Sequence, residues 1–187
     1  GARSLQRSLE GPRTMIRLLL ACLFLPFAAG CASVDVADYR NERPPLDLAQ
    51  YFNGTVDGWG MFQDRSGKVV RRFYVRIDAT WTGNAGTLDE HFEYSDGTRE
   101  NRVWKLVKDG NRYTGTAGDV VGTALGSAEG NALRWNYVLA LPVDGRTWHM
   151  DMDDWMYLID EKTMLNRTTM SKLGVRVGEV TLSFRKR

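Results

Sequence analysis

NALRWNYVLAL (residues 131–141) alternates large apolar residues with small or polar ones. Such alternation is typical of a β-strand, because successive side chains point to opposite faces of a sheet. TWHMDMDDW (residues 147–155) repeats the pattern, with Trp148, Met150 and Met152 opposite His149, Asp151 and Asp153. Asp144-Gly145 lies between them, and this dipeptide favours the backbone of a tight turn. Together these features predict an antiparallel hairpin with one apolar face.

The same organisation extends over most of the chain. VVRRFYVRID (residues 69–78) alternates in the same way, and LDLAQYFNG (residues 46–54) predicts a short helical turn. Further turn dipeptides recur at Ser66-Gly67, Gly83-Asn84, Asp96-Gly97, Asp109-Gly110 and Gly130-Asn131. We expect an all-β fold, an antiparallel meander of about 8–10 strands after a short N-terminal helical turn. A sheet of that length leaves no unpaired edge only if it closes into a barrel.

Composition places the chain among globular proteins, with 43% hydrophobic and 26% charged residues. Residues 1–30 hold four arginines and one glutamate, so 21 basic and 22 acidic residues remain after them, a net charge of −1. Nucleic-acid-binding proteins carry a basic face or stripe. We therefore expect no nucleic-acid partner.

The N-terminal region predicts a leader and an anchor. Met15 is the expected start, and the apolar run from Leu18 to Ala29 is too short to span a bilayer. Small residues then precede Cys31, a pattern that resembles the lipobox of bacterial lipoproteins. This resemblance implies that residues 1–30 are a signal peptide and that Cys31 becomes the lipidated, palmitate-bearing N-terminus. The alternative is an ordinary secretory signal followed by a chance cysteine.

The residues after Cys31 bear on location and domain organisation. Position 32 is alanine rather than the aspartate that retains lipoproteins in the inner membrane, so the resemblance implies the cell envelope, at the periplasmic face of the outer membrane. Residues 31–45 are polar and end in Pro44-Pro45, which predicts a lipidated tether. Residues 46–187 are then expected to form a single β-barrel domain.

Four stretches resemble the domain-of-unknown-function 3833 family of bacterial lipoproteins, for which no activity is implied. They are FNGTVDGWGMFQDRSG (residues 52–67), TLDEHFEYSDG (residues 87–97), DDWMYLID (residues 153–160) and LNRTTMSKLGV (residues 165–175). More weakly, LDLAQYFNGTV (residues 46–56) resembles the start of a lipocalin, although Val56 replaces the expected tryptophan. This second resemblance implies a lipocalin-like barrel.

Two polar groups invite a chemical interpretation. His149, Asp151 and Asp153 would share a strand face at spacings of about 7 Å, too wide for neighbouring ligands of one small cation. We expect them and Asp154 to be solvated or paired with a basic residue such as Arg134, and we predict no metal site. Glu90, His91 and Glu93 suit an exposed strand, and no nucleophile accompanies them. We therefore assign no catalytic residue.

Aromatic and methionine residues are the candidates for a ligand site. Most such residues belong to a core, but a barrel of this size can also enclose one small ligand. Met152 shares the predicted interior face, whereas Trp155 and Met156 are neighbours and cannot both point inward on a regular strand. The candidate ligand-binding residues are Phe73, Trp104, Trp135, Tyr137, Trp148, Met150 and Trp155.

Three functions fit this sequence. The leading one is a lipid-anchored protein whose barrel binds or carries an apolar or lipid-like ligand. The second is a structural or assembly lipoprotein with a filled barrel and a protein partner. The third is an enzyme using the barrel interior, which requires a perturbed group such as Asp89, Glu90 or Asp154 in a pocket. No cofactor is implied.

Overall fold

A computed structural model describes residues 33–187, and Asp35–Arg187 form one compact unit. The predicted signal peptide and Cys31 lie outside the described residues. None of the helices among residues 33–187 is long and apolar enough to span a bilayer.

Within residues 33–187, ten antiparallel strands follow one another in chain order, as predicted for a meander. They are β1 (Gly54–Asp64), β2 (Val69–Thr82), β3 (Ala85–Tyr94), β4 (Arg99–Asp109), β5 (Arg112–Thr116), β6 (Val120–Glu129), β7 (Ala132–Val143), β8 (Arg146–Leu158), β9 (Thr163–Lys172) and β10 (Val175–Lys186). Every predicted turn dipeptide lies at a junction between strands, and each of their glycines has a positive φ.

The sheet closes where β1 pairs with β10, from Val56 opposite Lys186 to Asp64 opposite Gly178. Side chains reinforce this seam, because the guanidinium of Arg187 donates to both carboxylate oxygens of Asp57 at 2.7 and 2.8 Å. Tyr74 on β2 donates to the same carboxylate at 2.6 Å. The all-β, lipocalin-like barrel predicted from the sequence is therefore confirmed.

The β7–β8 hairpin has the predicted faces. Its register runs without a break from Ala132 opposite Tyr157 to Val143 opposite Arg146. Because no bulge interrupts β8, Met152 and Met156 point inward and Trp155 points outward. The unbroken register of β8 therefore decides that Met156 faces the interior and that Trp155, a predicted ligand-binding residue, faces outward.

The N-terminal helical turn is α1 (Leu48–Tyr51), and it closes one end of the barrel. Leu48, Tyr51 and Phe52 are buried, and the ring of Phe52 packs edge-on against Phe184 at 5.6 Å between centroids. Asp47 caps the helix by accepting a hydrogen bond from the backbone N–H of Ala49 at 2.9 Å. The short helix therefore belongs to the core.

Part of the predicted tether contacts the barrel. A 3₁₀ turn at Val36–Tyr39 places the ring of Tyr39 against Trp155 and Tyr157, at 5.9 and 5.5 Å between centroids. The backbone N–H of Leu46 donates to the carbonyl of Gly130 at 2.8 Å. The segment before α1 therefore packs first against the outer face of β8 and then against the β6–β7 turn.

The opposite end of the barrel is open. Odd-numbered strands run away from α1, so the turns after β1, β3, β5, β7 and β9 surround that end. The other turns lie beside α1, where the hydroxyl of Tyr51 donates to the carbonyl of Lys162 at 2.9 Å. Any molecule that enters the barrel therefore passes the turns that follow the odd-numbered strands.

Substitution of Gly130 tests whether the N-terminal segment packs against the β6–β7 turn through Tyr39. A Cβ at this position, with φ of 54°, would collide with the carbonyl of Tyr39, whereas a Cβ at Gly110, with φ of 61°, meets nothing within 4 Å. We expect Gly110→Ala to cost about 1 kcal/mol through backbone strain alone, and Gly130→Ala to cost on the order of 2 kcal/mol more. Urea unfolding measures both, and equal losses would contradict the Tyr39 contact.

Candidate ligand-binding site

The barrel encloses a cavity of about 1030 Å³ that opens at the end opposite α1. Leu48 and Phe52 form its floor, and side chains from eight of the ten strands form its wall. Most of the wall is apolar. A ten-stranded barrel has a wider interior than an eight-stranded one, which side chains alone can fill.

Four of the predicted ligand-binding residues meet in this cavity. Phe73, Trp104, Trp135 and Tyr137 all line it. The ring of Trp104 contacts Trp135 and Tyr137 edge-on, with centroids 5.8 and 5.4 Å apart. These rings form an apolar wall with a phenol hydroxyl at its side, which suits an apolar molecule that carries one polar group.

The other three candidates do not line the cavity. Trp148 occupies a position of β8 whose side chains face inward, but it lies close to the β7–β8 turn. There it is 37% exposed, and its ring lies beneath the ammonium of Lys172. Met150 packs beside Met152 and Met170, which line the cavity, but does not line it itself. Trp155 points outward, as its odd position on β8 requires.

A group of polar side chains crosses the cavity about halfway along the barrel. We call it the polar belt: Glu90 on β3, Arg102 on β4, Asp119 between β5 and β6, Tyr137 on β7, and Asp154 on β8 with its partners Asn166 and Thr168 on β9. Each of these residues lines the cavity, with apolar side chains on both sides of the belt. A ligand in the barrel would therefore touch ionisable groups.

Arg102 is the only cation of the belt. Its guanidinium binds Asp119 through two nitrogens, with Nη2–Oδ2 and Nε–Oδ2 distances of 2.7 and 2.9 Å. Its remaining nitrogen, Nη1, lies 3.7 Å from Oε2 of Glu90, the residue opposite it in the sheet register. The Asp119 pair has the geometry of a strong charge-assisted bond.

Asp154 is buried on the other side of the cavity, with 7% of its surface exposed. Its carboxylate accepts a hydrogen bond from the side-chain amide of Asn166, which also donates to the backbone carbonyl of Trp155 at 3.0 Å. The hydroxyl of Thr168 lies 3.5 Å from Oδ1 of Asn166. No basic side chain makes an ion pair with Asp154 among the described residues.

Burial raises the pKa values of two carboxyl groups in the polar belt. It raises the pKa of Glu90 to about 7, against the attraction of Arg102 and with a further contribution from the charges of Asp119 and Asp154. Burial also raises the pKa of Asp154 to about 7, although Asn166 and Thr168 oppose it with hydrogen bonds. Both carboxyl groups therefore exchange protons near neutral pH.

The sequence predicted an exposed strand position for Glu90 and a solvated or paired position for Asp154, but both side chains line the cavity, where Asp154 is buried. Otherwise it named the two only as conditions for an enzyme, and it missed Arg102, Asp119 and Asn166. The alternation pattern could have identified two of these residues as inward-facing. Arg102 shares the parity of Trp104 and Leu106, and Asn166 shares that of Met164 and Met170, which are apolar residues of one inward face. A polar residue in such a series is a candidate for a buried polar site. Asp119 follows a strand and carries no such signal.

The remaining polar candidates face outward. Asp153 forms an ion pair with Arg134, with Nε–Oδ1 at 2.7 Å, as predicted for a solvated face. Asp89 accepts a hydrogen bond from Asn101 at 2.8 Å, and His91 lies 3.4 Å from the same carboxylate. Over residues 33–187, no group of three or more His, Cys, Asp or Glu side chains has the arrangement of a metal site.

Comparison with protein families gives one match. The model of the family described as "Protein of unknown function (DUF3833)" matches residues 25–186, which is most of the chain. No curated protein matches this sequence.

Solved structures include similar barrels. The S-type phycobiliprotein lyase CPES from Guillardia theta aligns with a TM-score of 0.54 and 9% identity, over 75% of this chain and 91% of that one. A de novo designed fluorescence-activating β-barrel aligns with a TM-score of 0.39 and 13% identity, over 76% of this chain and 99% of the design. The likeness to the lyase supports the barrel fold and does not extend to activity.

The raised pKa values predict how stability depends on pH. Between the ordinary pKa of a carboxyl group, near 4, and about 7, folded Glu90 keeps a proton that the unfolded chain releases. The free energy of unfolding therefore falls as pH rises through this range. Replacing Glu90 with Gln removes its share of the decrease, up to about 3 kcal/mol between pH 5 and pH 8.

Urea unfolding at both pH values measures this decrease in the wild type and in the variant. Glu93→Gln is the matched control, because it removes an exposed carboxylate from the same strand, and we expect it to keep the wild-type decrease. The same decrease in both variants would contradict a proton on buried Glu90.

Proposed function

The chain belongs to the DUF3833 family, whose description assigns no function, and we propose that it binds a small amphipathic molecule inside its barrel. One observation carries this proposal, the cavity of about 1030 Å³ behind an open end. Pockets for drug-sized ligands measure about 300–1,000 Å³ and combine apolar walls with a few placed polar groups. The aromatic wall and the polar belt match that description.

The cavity also separates this function from the structural alternative. A barrel that serves only as a scaffold is expected to fill its interior, because close packing contributes dispersion energy and empty volume costs stability. Here Phe73, Trp104 and Tyr137 line a cavity of about 1030 Å³ instead of filling the interior. Space of this size that is open to solvent is better explained by an occupant.

Filling the cavity tests the proposal. Val180 on β10 lines the cavity, whereas its neighbour Thr181 is exposed on the outer face. We expect Val180→Trp to weaken binding of the neutral apolar fluorophore N-phenyl-1-naphthylamine at least tenfold, since the indole occupies cavity volume. Fluorescence titration measures the affinity.

Thr181→Trp is the matched control, because it adds the same ring outside the barrel, and it is expected to bind like the wild type. Thermal unfolding of both variants checks that they fold. Failure of the wild type to bind the fluorophore, together with a bare protein mass after native purification, would contradict a ligand-binding barrel.

The polar belt supports a second candidate, acid–base catalysis on a bound molecule. Glu90 and Asp154 have pKa values of about 7 and face the same cavity, and a proton donor or acceptor works best near the operating pH. The mass of the ligand recovered from the protein separates the two functions. An unchanged mass favours binding, and a converted ligand favours catalysis.

We further propose that the protein is a lipoprotein, anchored through Cys31 to the periplasmic face of the outer membrane. The support is the order of residues, with Arg17, an apolar run, small residues and then the cysteine. Two or more acyl chains make such an anchor durable, because each buried methylene contributes about 0.8 kcal/mol. A barrel held at a membrane would meet lipid-derived amphiphiles directly.

Replacing Cys31 with Ala tests the anchor. We expect the wild-type protein to incorporate an alkyne-labelled fatty acid and to sediment with membranes, and the variant to do neither. Cys22→Ala is the matched control, because it removes the other cysteine of the chain and leaves the proposed acylation site intact. Labelling of the Cys31→Ala variant would contradict the proposal.

A further inference from the structure

Glu90 presents an unpaired hydrogen-bond acceptor to the cavity. Its side chain is 12% exposed, and its Oε2 atom has no hydrogen-bond partner in the described part of the chain. The nearest guanidinium nitrogen, on Arg102, is 3.7 Å away and therefore beyond hydrogen-bonding distance. Buried acceptors in folded proteins nearly always have a donor. A ligand that donates a hydrogen bond here would supply the missing partner.

The charges of the polar belt favour the same kind of ligand. The belt holds three carboxyl groups and one guanidinium, so it is net negative when Glu90 and Asp154 are ionised. Arg102 already uses two of its nitrogens on Asp119. An anionic group would find no free cation in the belt, whereas an ammonium group would face an excess of carboxylates.

One other cation lines the cavity, and it lies towards the open end. Arg71 forms an ion pair with Asp96, at 3.1 Å, and its guanidinium stacks on the ring of Tyr94 at 3.5 Å from the centroid. Only Nη2 of Arg71 bonds Asp96 and Thr98, and its buried Nε has no hydrogen-bond partner in the described part of the chain. Arg71 is therefore the site to examine if an anionic ligand binds.

We propose that the cavity selects amphiphiles whose polar group donates a hydrogen bond to Glu90, with a primary amine preferred over a hydroxyl and a carboxylate least favoured. The apolar chain of such a ligand lies against the aromatic wall of Trp104 and Tyr137. This inference rests on the proposed binding function and names the chemical class of the ligand.

Three probes with the same ten-carbon chain test the selection: decylamine, decanol and decanoate. Each is titrated against the protein loaded with N-phenyl-1-naphthylamine at pH 8, and its dissociation constant is obtained from the loss of fluorescence. We expect decylamine to bind at least tenfold more tightly than decanoate, with decanol between them. Decylamine affinity should also rise from pH 5.5 to pH 8, as Glu90 and Asp154 lose their protons beside Arg102, Asp119 and Tyr137.

Glu90→Gln separates the charge of the carboxylate from its shape. We expect this variant to bind decylamine about tenfold more weakly and to keep the affinity for decanol within about threefold of the wild type. Asp89→Asn is the matched control, because it removes a carboxylate from the outer face of the same strand, and it should change neither affinity. Equal losses for both probes in Glu90→Gln would overturn the role of Glu90.

The same titrations distinguish failure of the proposed selection from failure of the binding function. If decanoate binds as tightly as decylamine or more tightly, the proposed selection is wrong while the binding function stands, and Arg71→Gln then tests the alternative cation. If the fluorophore binds but no probe displaces it, the selection is likewise wrong. If the fluorophore itself does not bind and native mass spectrometry shows no adduct with any of the three probes, the binding function is wrong.

Discussion

Pairing of β1 with β10 is the constraint on which the rest of the structure depends. An open sheet of ten strands would have two unpaired edges and would leave its apolar face exposed to water. The seam between residues 56–64 and 178–186 removes both edges and turns that face into an interior. Asp57 contributes to this closure, because Tyr74 on β2 and Arg187, directly after β10, both bind its carboxylate.

Closure with ten strands also leaves more space than the side chains occupy. The floor formed by α1 fills one end, where Val56 and Leu133 are fully buried. Beyond this floor the interior widens into the cavity, so the same barrel has a solid end and a hollow end. The apolar cluster that includes the floor continues into the cavity wall through Val75, Trp104 and Trp135.

The charged groups of the polar belt are paired only in part. Arg102 and Asp119 compensate each other, and Asp154 is hydrogen-bonded by Asn166. Glu90 keeps one oxygen without a donor, although burying a carboxylate in apolar surroundings is costly. Functional sites often retain such groups at the expense of stability, and the raised pKa values of Glu90 and Asp154 express the same cost.

The amino-acid sequence by itself determined the all-β meander, its turns and the alternation of faces along each strand, because alternation and glycine turns are properties of neighbouring residues. Alternation showed that Trp155 and Met156 face opposite ways, but only the unbroken register of β8 decided that Met156 is the inward one. The sequence pattern could not give the position of a residue along the barrel axis, and for that reason Trp148 was predicted at a wall that it does not reach.

Only the tertiary structure decided that the interior is hollow and that Glu90, Arg102, Asp119 and Asp154 share it. These residues come from separate strands and a turn, and strand number, register and closure bring them together. A cavity is a volume that side chains fail to fill, so it depends on distances across the barrel. No pattern of neighbouring residues records those distances.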